Sequence, residues 1–554
     1  MFRPKLVTCL KDYSKETFLK DCIAGFIVGV VAIPLAIAFA IASGVSPDKG
    51  LFTAIIAGFL ISLLGGSRVQ IGGPTGAFVV IVYGVVQKYG VDGLIIATLM
   101  AGILLVIMGV SKLGTAIKFI PHSVIVGFTS GIAVIIFSSQ VKDFLGLRID
   151  KVPAEFVEKW HVFIQHFGTV NYVALILGLV TVFIIAMTPK FSKRVPGALV
   201  ALVSVTALAA FFHLPVETIG SRFGDLPHGL PVPHFPLRSL SRLRELFQPA
   251  VTIALLGAIE SLLSAVVADG MIGARHRPNT ELIGQGIANI CSALFGGMPA
   301  TGAIARTVTN IKNGGKTPVA GIVHAITVLL IMLFFGSWIK FVPLACLAGI
   351  LVVVAYYMSE WRSFRELLKG SRGGKIVVGL TFLLTIFVDL NVAIEVGVVL
   401  AAFLFMKRMS DVTDVKVFAR EYAEDEKMEQ GEDLPVSAFS LPPRVEVYEI
   451  NGPLFFGAAS SFDEAEREIS EKPKVRILRF RDVPLIDSTG MHALKSFYNQ
   501  NKREGIRLVM TGLHVQPLNE MVKSNLYDLI GEENVFASMK ESIARAEVLL
   551  KEIK

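Results

Sequence analysis

The sequence predicts a polytopic α-helical membrane protein, with fourteen membrane segments in a seven-plus-seven inverted repeat and a small cytoplasmic α/β domain after them. Of the 554 residues, 53% are hydrophobic and only 18% are charged, far less charge than a soluble chain of this length carries. Two further observations support the prediction. Long uncharged apolar runs recur along the chain, and one Gly-Pro-rich phrase occurs twice.

The membrane domain is predicted over residues 22–409, after a polar N-terminal segment (residues 1–21). The runs 22–47, 119–141 and 317–339 contain no charged side chain, and about 20 apolar residues are enough to cross a bilayer as a helix. About fourteen apolar segments lie near residues 22–45, 50–65, 74–88, 91–111, 119–139, 171–188, 197–213, 248–269, 281–296, 302–311, 317–337, 341–358, 375–389 and 392–406.

The loop charges predict the orientation. An even number of segments returns both ends of the domain to one side of the membrane. If the N-terminus is inside, the inner loops hold basic clusters, and the short outer loops hold single lysines such as Lys49, Lys88 and Lys340. Because basic residues concentrate in cytoplasmic loops, we expect both termini in the cytoplasm and the protein in the plasma or inner membrane. Since much of the net charge of +8 lies in these loops, it does not indicate nucleic-acid binding.

The two halves of the domain resemble each other. Thr75-Gly76-Ala77 recurs 226 residues later as Thr301-Gly302-Ala303, and Ala32-Ile-Pro34 recurs at the same offset as Ala258-Ile-Glu260. The phrase at 117–121 recurs at 339–343, an offset of 222. We therefore predict two repeats, about 22–213 and about 248–409. Because each has seven segments, the second enters the membrane from the opposite face, as in many secondary transporters.

The phrases "GGPTGA" (72–77) and "GGMPATGA" (296–303) are predicted to be extended approaches to two half-helices. Non-helical backbone at membrane depth is tolerated only where it is buried in protein or lines a cavity. In an inverted repeat the two helix N-termini point at each other, and each offers free N–H groups and about half a positive charge. Such an arrangement predicts an anion site.

The C-terminal part is predicted to be a soluble domain over residues 438–554, joined by a charged linker (410–437). Strand-like and helical segments alternate in it, as in a small α/β domain, and one of the predicted helices lies at 461–471. We find no Gly-rich phosphate loop, no paired catalytic residues and no cysteine spacing typical of a metal site. Binding or regulation is therefore expected of this domain. We expect no enzyme activity, metal or cofactor.

Three blocks, residues 257–290, 296–310 and 483–497, resemble the sulfate permease (SulP) family of anion transporters. Within the family, the two blocks between residues 257 and 310 are most similar to the bacterial proton-coupled C4-dicarboxylate branch, and next to the cyanobacterial sodium-coupled bicarbonate branch. The resemblance implies a membrane domain of two inverted repeats followed by a STAS domain. It also implies a homodimer in the lipid bilayer and a STAS domain that binds a cytoplasmic regulator.

The resemblance also implies where the anion binds, which is between the half-helices of the third and tenth segments, flanked by the first and eighth segments. Many eukaryotic relatives have a glutamine where this chain has Leu35, so the wall is more apolar here. Carried over by motif, the site residues are Leu35, Phe39, Thr75, Gly76, Ala77, Ala303, Ile304, Ala305 and Arg306.

Glu260 is the only charged residue of the apolar run 251–268, and an intramembrane carboxyl marks a candidate functional group. We interpret Glu260, with Ser264 beside it, as the coupling site for a proton, or alternatively for sodium. The competing interpretation is a glutamate satisfied by the hydroxyls of Ser261 or Ser264. Arg306 either lies close to the anion or pairs with Glu260 or backbone carbonyls. In the STAS domain, Asp487 is expected to cap a helix, and Ser488 or Thr489 is a candidate phosphorylation site.

The predicted function is proton-coupled symport of a small anion, with succinate or fumarate preferred. Sulfate or bicarbonate transport, driven by protons or sodium, and anion exchange are the alternatives. An anion channel and a uracil- or xanthine-type permease are weaker ones.

Overall fold

The structure is a computed structural model that describes residues 2–115, 121–149, 152–191, 196–224, 229, 232–233, 242–388, 390–412, 414–418, 439–455 and 473–553. The chain divides into two compact units, Met1–Ala401 and Ala402–Lys554. Three sequence predictions fall wholly or largely outside the described residues. They are the helix at 461–471, most of the linker 410–437 and the first four residues of the repeated phrase 117–121.

In its described residues, the first repeat contains six long helices, of which one is divided by a kink. At Gly90 the backbone leaves the helical conformation (φ 72°, ψ −176°), so α4 forms two arms. The helices up to the second repeat are α1 (Lys5–Cys9), α2 (Lys15–Ala42), α3 (Pro47–Leu64), α4 (Gly76–Val110), α5 (His122–Leu145), α6 (Phe156–Gln165), α7 (Tyr172–Phe191), α8 (Gly197–Phe211) and α9 (Ile219–Phe223).

The described part of the second repeat contributes seven segments and one short amphipathic helix. Its helices are α10 (Leu243–Ile272), α11 (Pro278–Leu294), α12 (Ile304–Lys312), α13 (Val319–Ile339), α14 (Leu344–Met358), α15 (Trp361–Lys369), α16 (Arg372–Phe387) and α17 (Leu390–Val412). Among the described residues, eight helical stretches are long and apolar enough to cross a membrane alone. With the two arms of α4 counted separately, and with the shorter helices included, the predicted seven segments per repeat are present.

A two-stranded pairing joins the repeats at the half-helices. Strand β1 (Gly72–Gly73) pairs antiparallel with strand β2 (Thr301–Gly302), with Gly72 opposite Gly302 and Gly73 opposite Thr301. The residues that precede the two half-helices are Thr75 before α4 and Ala303 before α12, 228 positions apart. The sequence offset of 226 is therefore wrong by two at this place, and the structural counterpart of Thr75 is Ala303 instead of Thr301.

Equivalent side chains stabilise the two approaches. Thr53 of α3 accepts a hydrogen bond from the Met298 backbone N–H at 2.8 Å. Glu281 of α11 lies 228 positions later, and its Oε2 accepts from the Gly66 and Ser67 N–H groups at 2.7 and 3.0 Å. Because buried backbone donors need acceptors, α3 of the first repeat and its counterpart α11 of the second each satisfy the backbone of the other repeat's approach.

The helices α5, α7, α14 and α16 form a second bundle, separate from the bundle that contains α2 and α4. It packs through small residues, again in pairs related by the repeat. Thr381 of α16 packs against Gly127 of α5, and Thr181 of α7 packs against Gly349 of α14. A Cβ added at Gly127 would lie 2.6 Å from the Val378 carbonyl oxygen. Small residues at these crossings allow the close helix approach that is typical of membrane bundles.

The C-terminal unit contains a five-stranded sheet in the order β3-β4-β5-β6-β7, with only the β3–β4 pair antiparallel. The predicted order of strands and helices is present in the described residues, but strand β3 lies inside the predicted linker. Its elements are β3 (Asp414–Phe418), β4 (Val445–Asn451), β5 (Val475–Asp482), α18 (Ser488–Arg503), β6 (Arg507–Thr511), α19 (Val515–Lys523), α20 (Leu526–Ile530), β7 (Val535–Phe536) and α21 (Met539–Glu552).

Candidate functional site

The two half-helices begin without side-chain caps. Thr75 takes the extended conformation of an N-cap, but its side chain makes no capping hydrogen bond in the described part of the chain. Ala303, at the start of α12, has no side chain that could cap. The first-turn N–H groups of α4 and α12 are thus left without the side-chain acceptors that most helices provide. This is the geometry expected of an anion site.

Gly76, the first residue of α4, lies where three apolar side chains converge. A Cβ built on Gly76 would lie 2.9 Å from Met358 Sδ, 3.1 Å from Ile136 Cδ1 and 3.3 Å from Phe39 Cε1. The predicted wall residue Phe39 therefore lies at the start of α4, and only a glycine leaves room between it and the second bundle. The sequence analysis missed Ile136 and Met358. Their separation is 222 positions, the offset of the second repeated phrase, so the repeat could have paired them.

The other predicted wall residues take several environments. Ala77 and Ala303 are buried in the core, and Leu35 is half-buried and packs against it. Ile304 and Ala305, in the first turn of α12, are exposed. The start of α12 is thus open on one face, whereas the start of α4 is enclosed by Phe39, Ile136 and Met358.

Glu260 is bound to the start of α4. Its Oε2 accepts a hydrogen bond from the Thr75 hydroxyl at 2.8 Å, and no ion pair involves Glu260 among the described residues. With the half-helix starts as reference, its counterpart in the first repeat is Ala32, instead of the Pro34 that the 226 offset indicates. Under either alignment the carboxyl occurs in one repeat only.

The serines next to Glu260 have other partners. Ser261 Oγ lies 2.9 Å from Thr301 Oγ1 and accepts from the Gly302 N–H at 3.2 Å. Ser264 Oγ lies 3.3 Å from Thr307 Oγ1. These hydroxyls hold β2 and α12 against α10. Thr75, on the other repeat, is the partner of Glu260, so the interpretation that Ser261 or Ser264 satisfies this carboxyl is wrong.

Arg306 is directed toward the approach to α4. Its side chain is buried, and Nη2 donates to the Pro74 carbonyl oxygen at 3.1 Å. A Cβ added at Gly73 would lie 2.2 Å from Arg306 Nη1, and Nη1 has no hydrogen-bond partner among the described residues. The sequence analysis left three partners open for Arg306, which were the anion, Glu260 and backbone carbonyls. The hydrogen bond observed is to a backbone carbonyl. The guanidinium therefore places a positive charge behind the start of α4.

The candidate phosphorylation site lies at the first turn of α18. Asp487 Oδ1 accepts from the Gly490 N–H at 2.7 Å, which confirms the predicted helix cap. Ser488 and Thr489 are both exposed in that turn. Their hydroxyls are accessible, and neither is needed to cap the helix.

Comparisons with known sequences cover nearly the whole chain. Residues 18–381 match the family described as "Sulfate permease family", and residues 440–542 match the STAS domain. The chain is 45% identical over 528 residues to "Putative sulfate transporter YvdB" of Bacillus subtilis, covering 95% of this chain and 97% of that relative. It is 31% identical over 550 residues to "Bicarbonate transporter BicA" of Picosynechococcus sp., covering 95% and 94% of the two chains.

Solved structures share the fold. The overall structure of SLC26A9 superimposes with a TM-score of 0.87 over 99% of this chain and 93% of that one, at 17% identity. The transmembrane domain of a cyanobacterial bicarbonate transporter, BicA, gives a TM-score of 0.63 over 70% of this chain and 98% of that one, at 30% identity. The membrane and C-terminal domains therefore both have known counterparts, in the predicted order.

Proposed function

Because the chain belongs to the sulfate permease family, whose members are anion transporters and not enzymes, we propose that it imports a small oxyanion together with a proton. The observation that carries this proposal is the hydrogen bond between Thr75 and Glu260. It joins an intramembrane carboxyl to the residue that precedes α4, and the start of that half-helix is the candidate anion site.

The link makes anion binding and proton binding depend on each other. An ionised carboxylate at the centre of a membrane helix costs about 2.5–3.5 kcal/mol or more without a partner. Its negative charge also competes with an anion for the positive end of α4. Protonation of Glu260 removes both penalties. The loaded carrier therefore contains both the anion and the proton. Both are released before the carrier returns empty.

Alternating access follows from where the walls of the site come from. Phe39 and Gly76 belong to the bundle of α2 and α4, whereas Ile136 and Met358 belong to α5 and α14. A movement of one bundle against the other, either rocking or elevator-like, exposes the half-helix starts first to one side of the membrane and then to the other. The direction of import assumes that both termini are cytoplasmic, as the loop charges predict.

The substrate class is a small oxyanion, with three candidates. Similarity to YvdB, which is named as a sulfate transporter, supports sulfate. Similarity to BicA supports bicarbonate as a second candidate, with sodium as the alternative coupling ion. C4-dicarboxylates such as succinate or fumarate, preferred in the sequence analysis, rest only on the resemblance of residues 257–310.

The test is uptake into proteoliposomes of the purified full chain. Labelled sulfate, bicarbonate, succinate and fumarate are supplied with no gradient, with an acidic exterior, or with an inward sodium gradient. We expect accumulation of one of these anions only when the exterior is acidic. Accumulation that requires sodium replaces the proton as coupling ion, and uptake that requires an anion inside indicates exchange. No uptake of any of the four contradicts the proposal.

The same proposal includes the assembly and the tail. Family membership supports a homodimer whose STAS domains bind a cytoplasmic regulator. Crosslinking in native membranes tests the dimer, because a monomer would give no crosslinked species of twice the mass.

A further inference from the structure

A cavity of about 670 Å³ lies at the end of the membrane unit where α2 finishes. The first arm of α4 lines it from Val79 to Gln87, and the ends of α5 and α16 form the opposite side. The segment 152–159 and Arg222 complete its lining. Val79 is one turn beyond Gly76, so the cavity lies on the route from this end of the bundle to the start of α4.

Lys159 is a buried cation in the lining of this cavity. Only 4% of its surface is exposed. Its ammonium lies 5.7 Å from the centre of the Tyr83 ring, and it has no hydrogen-bond acceptor or ion pair among the described residues. A cation–π contact offsets only part of the cost of burying a charge. Burial accordingly lowers the pKa of Lys159 to about 8. Among the described residues, this ammonium therefore lacks the anion that would normally accompany a buried cation.

The other charged groups around the cavity have different arrangements. Arg222 donates to Asp143 at 2.8 Å and also forms an ion pair with Glu217. Lys142 donates to the Ile149 carbonyl, and Glu155 is exposed. Asp143 is thus engaged by Arg222, and neither it nor Glu155 forms an ion pair with Lys159.

The helix that carries Lys159 is fixed on three sides. Trp160 Nε1 of α6 donates to Ser138 Oγ of α5 at 3.1 Å. The Phe156 ring packs edge-on against Phe387 of α16, with 5.5 Å between centroids. Just before α6, the Val152 carbonyl accepts from the Tyr83 hydroxyl at 2.7 Å. The ammonium is therefore held in place before any ligand arrives, which lowers the entropic cost of binding.

We propose that Lys159 is the centre of a second anion-binding site, which captures the transported oxyanion in this cavity before it reaches the start of α4. The ligand class is a small oxyanion such as sulfate or a carboxylate, because the ammonium needs a compact negative partner. Ser139 and Gln140 line the same cavity and add uncharged polar groups. This inference rests on the proposed function, and it places the capture site at the end of the bundle that the loop charges predict to be outside the cell.

A footprinting experiment tests binding independently of transport. Purified full-length protein in lipid nanodiscs is treated with an amine-acylating reagent, and modification of each lysine is followed by peptide mass spectrometry. Sulfate and succinate are compared with gluconate at equal ionic strength. We expect either sulfate or succinate to slow acylation of Lys159 at least threefold and to leave the exposed Lys88 unchanged. Equal acylation of Lys159 in all three salts would overturn the proposal.

The protection should depend on pH in one direction. Lys159 binds an anion as the ammonium, so protection should be full near pH 7 and largely lost at pH 9, because the pKa of Lys159 is about 8. The groups that face it are the Tyr83 ring, the Asp143–Arg222 pair, Glu155 and Lys142. Protection that is equally strong at pH 7 and pH 9 would contradict binding through the ammonium.

Transport kinetics test the role in capture. In proteoliposomes, Lys159→Met should raise the KM for uptake about tenfold and change the maximal rate less than twofold. Lys159→Arg should restore most of the affinity. Lys88→Met is the matched control, since it removes an exposed lysine that also lies over a tyrosine ring, at 5.1 Å, and it should behave as the wild type. An unchanged KM in Lys159→Met overturns the inference, whereas a wild type that transports no anion overturns only the proposed function.

Discussion

Thr75 gives its backbone and its side chain to different tasks. The backbone starts α4 in the N-cap conformation, while the hydroxyl donates to Glu260 across the repeat interface. A capping threonine would normally bind the N–H groups of its own helix. Here those groups remain available to a ligand, and the coupling that we propose between the ligand and Glu260 runs through the Thr75 side chain. The candidate site thus depends on the Thr75 side chain leaving the first turn of α4 uncapped.

Glu260→Gln tests the coupling role. The amide keeps the shape and a hydrogen bond to Thr75 but cannot titrate. We expect the variant to bind the anion and exchange it, and to lose accumulation driven by an acidic exterior. Wild-type uptake should rise as the external pH falls toward 5, and uptake by the variant should be nearly flat.

The control is Glu245→Gln, at an exposed position in the first turn of α10, the helix that also carries Glu260. It should keep the wild-type pH profile of uptake. If Glu260→Gln accumulates the anion as the wild type does, the coupling group lies elsewhere, or the protein is an exchanger.

Arg306 is expected to act on the anion through charge and through the α4 approach. Arg306→Ala removes the cation behind Gly73 and leaves the Pro74 carbonyl unsatisfied, which should cost about 1–3 kcal/mol and weaken anion affinity roughly tenfold. Arg306→Lys keeps the charge but not the planar fork, so it should recover part of that affinity. Binding titration with sulfate or succinate, together with thermal unfolding, measures both effects. Wild-type affinity in both variants would exclude Arg306 from the anion site.

At the scale of elements, the half-helices lack side-chain caps, but other contacts hold their approaches in place. The β1–β2 pair joins their approaches, and Thr53 and Glu281 satisfy the backbone of each approach from the opposite repeat. The hydroxyls of Ser261 and Ser264 hold β2 and α12 against α10. Because irregular backbone in a membrane needs internal partners, these contacts keep two helix starts rigid and leave their first-turn N–H groups free for a ligand.

Gly76→Ala tests this arrangement. The added methyl would lie 2.9–3.3 Å from Met358, Ile136 and Phe39, so it should occupy the space at the start of α4 and reduce transport more than tenfold in a folded protein. The double variant Gly76→Ala/Met358→Ala removes the nearest obstruction and should regain part of the activity. Uptake assays and size-exclusion profiles measure these effects.

Gly270→Ala, in α10 with no atom within 4 Å of the added Cβ, is the control and should be neutral. Wild-type uptake by Gly76→Ala would mean that the anion does not approach this turn.

At the scale of the whole molecule, the chain consists of a membrane unit that contains all the residues of the candidate site discussed above and a C-terminal unit with its own core. The half-helices, Glu260 and Arg306 all precede residue 401, where the first unit ends. The sheet of the second unit begins with β3, which pairs with β4 along five residues. Removal of the C-terminal unit should therefore leave substrate binding intact, provided that β3 is removed together with the rest of its sheet.

Two truncations test this division. Deletion of 414–554 should leave a membrane domain that inserts, stays monodisperse and binds the anion. Deletion of 438–554 keeps the β3 sequence without its partner β4, and an unpaired strand edge promotes association, so this variant should aggregate more. Size-exclusion chromatography and anion binding measure both outcomes. Loss of binding in a monodisperse protein that lacks 414–554 would show that the tail contributes to the site.

The sequence by itself determined the number of segments, the inverted repeat, the half-helix starts and the C-terminal α/β domain. The segments, the half-helix starts and the α/β domain follow from local signals, since apolar runs of membrane length, Gly-Pro phrases and alternating strands and helices are read within a few tens of residues. The inverted repeat follows from phrases that recur at offsets of 222 and 226. The sequence analysis missed strand β3 because this short strand lies in a charged segment, where no local pattern distinguishes it from a linker.

Only the tertiary structure decided which side chains meet. Thr75 and Glu260 are 185 positions apart, and Arg306 and Pro74 are 232 apart. No periodicity predicts such contacts, because they depend on how two bundles pack and on the rotation of each helix. The same holds for the 228 offset at the half-helices and for the convergence of Ile136 and Met358 on Gly76. It also holds for Lys159, which is buried because α6 is anchored against α5, α16 and the first arm of α4. Hydropathy determines which segments enter the membrane, whereas packing determines which few atoms face the anion.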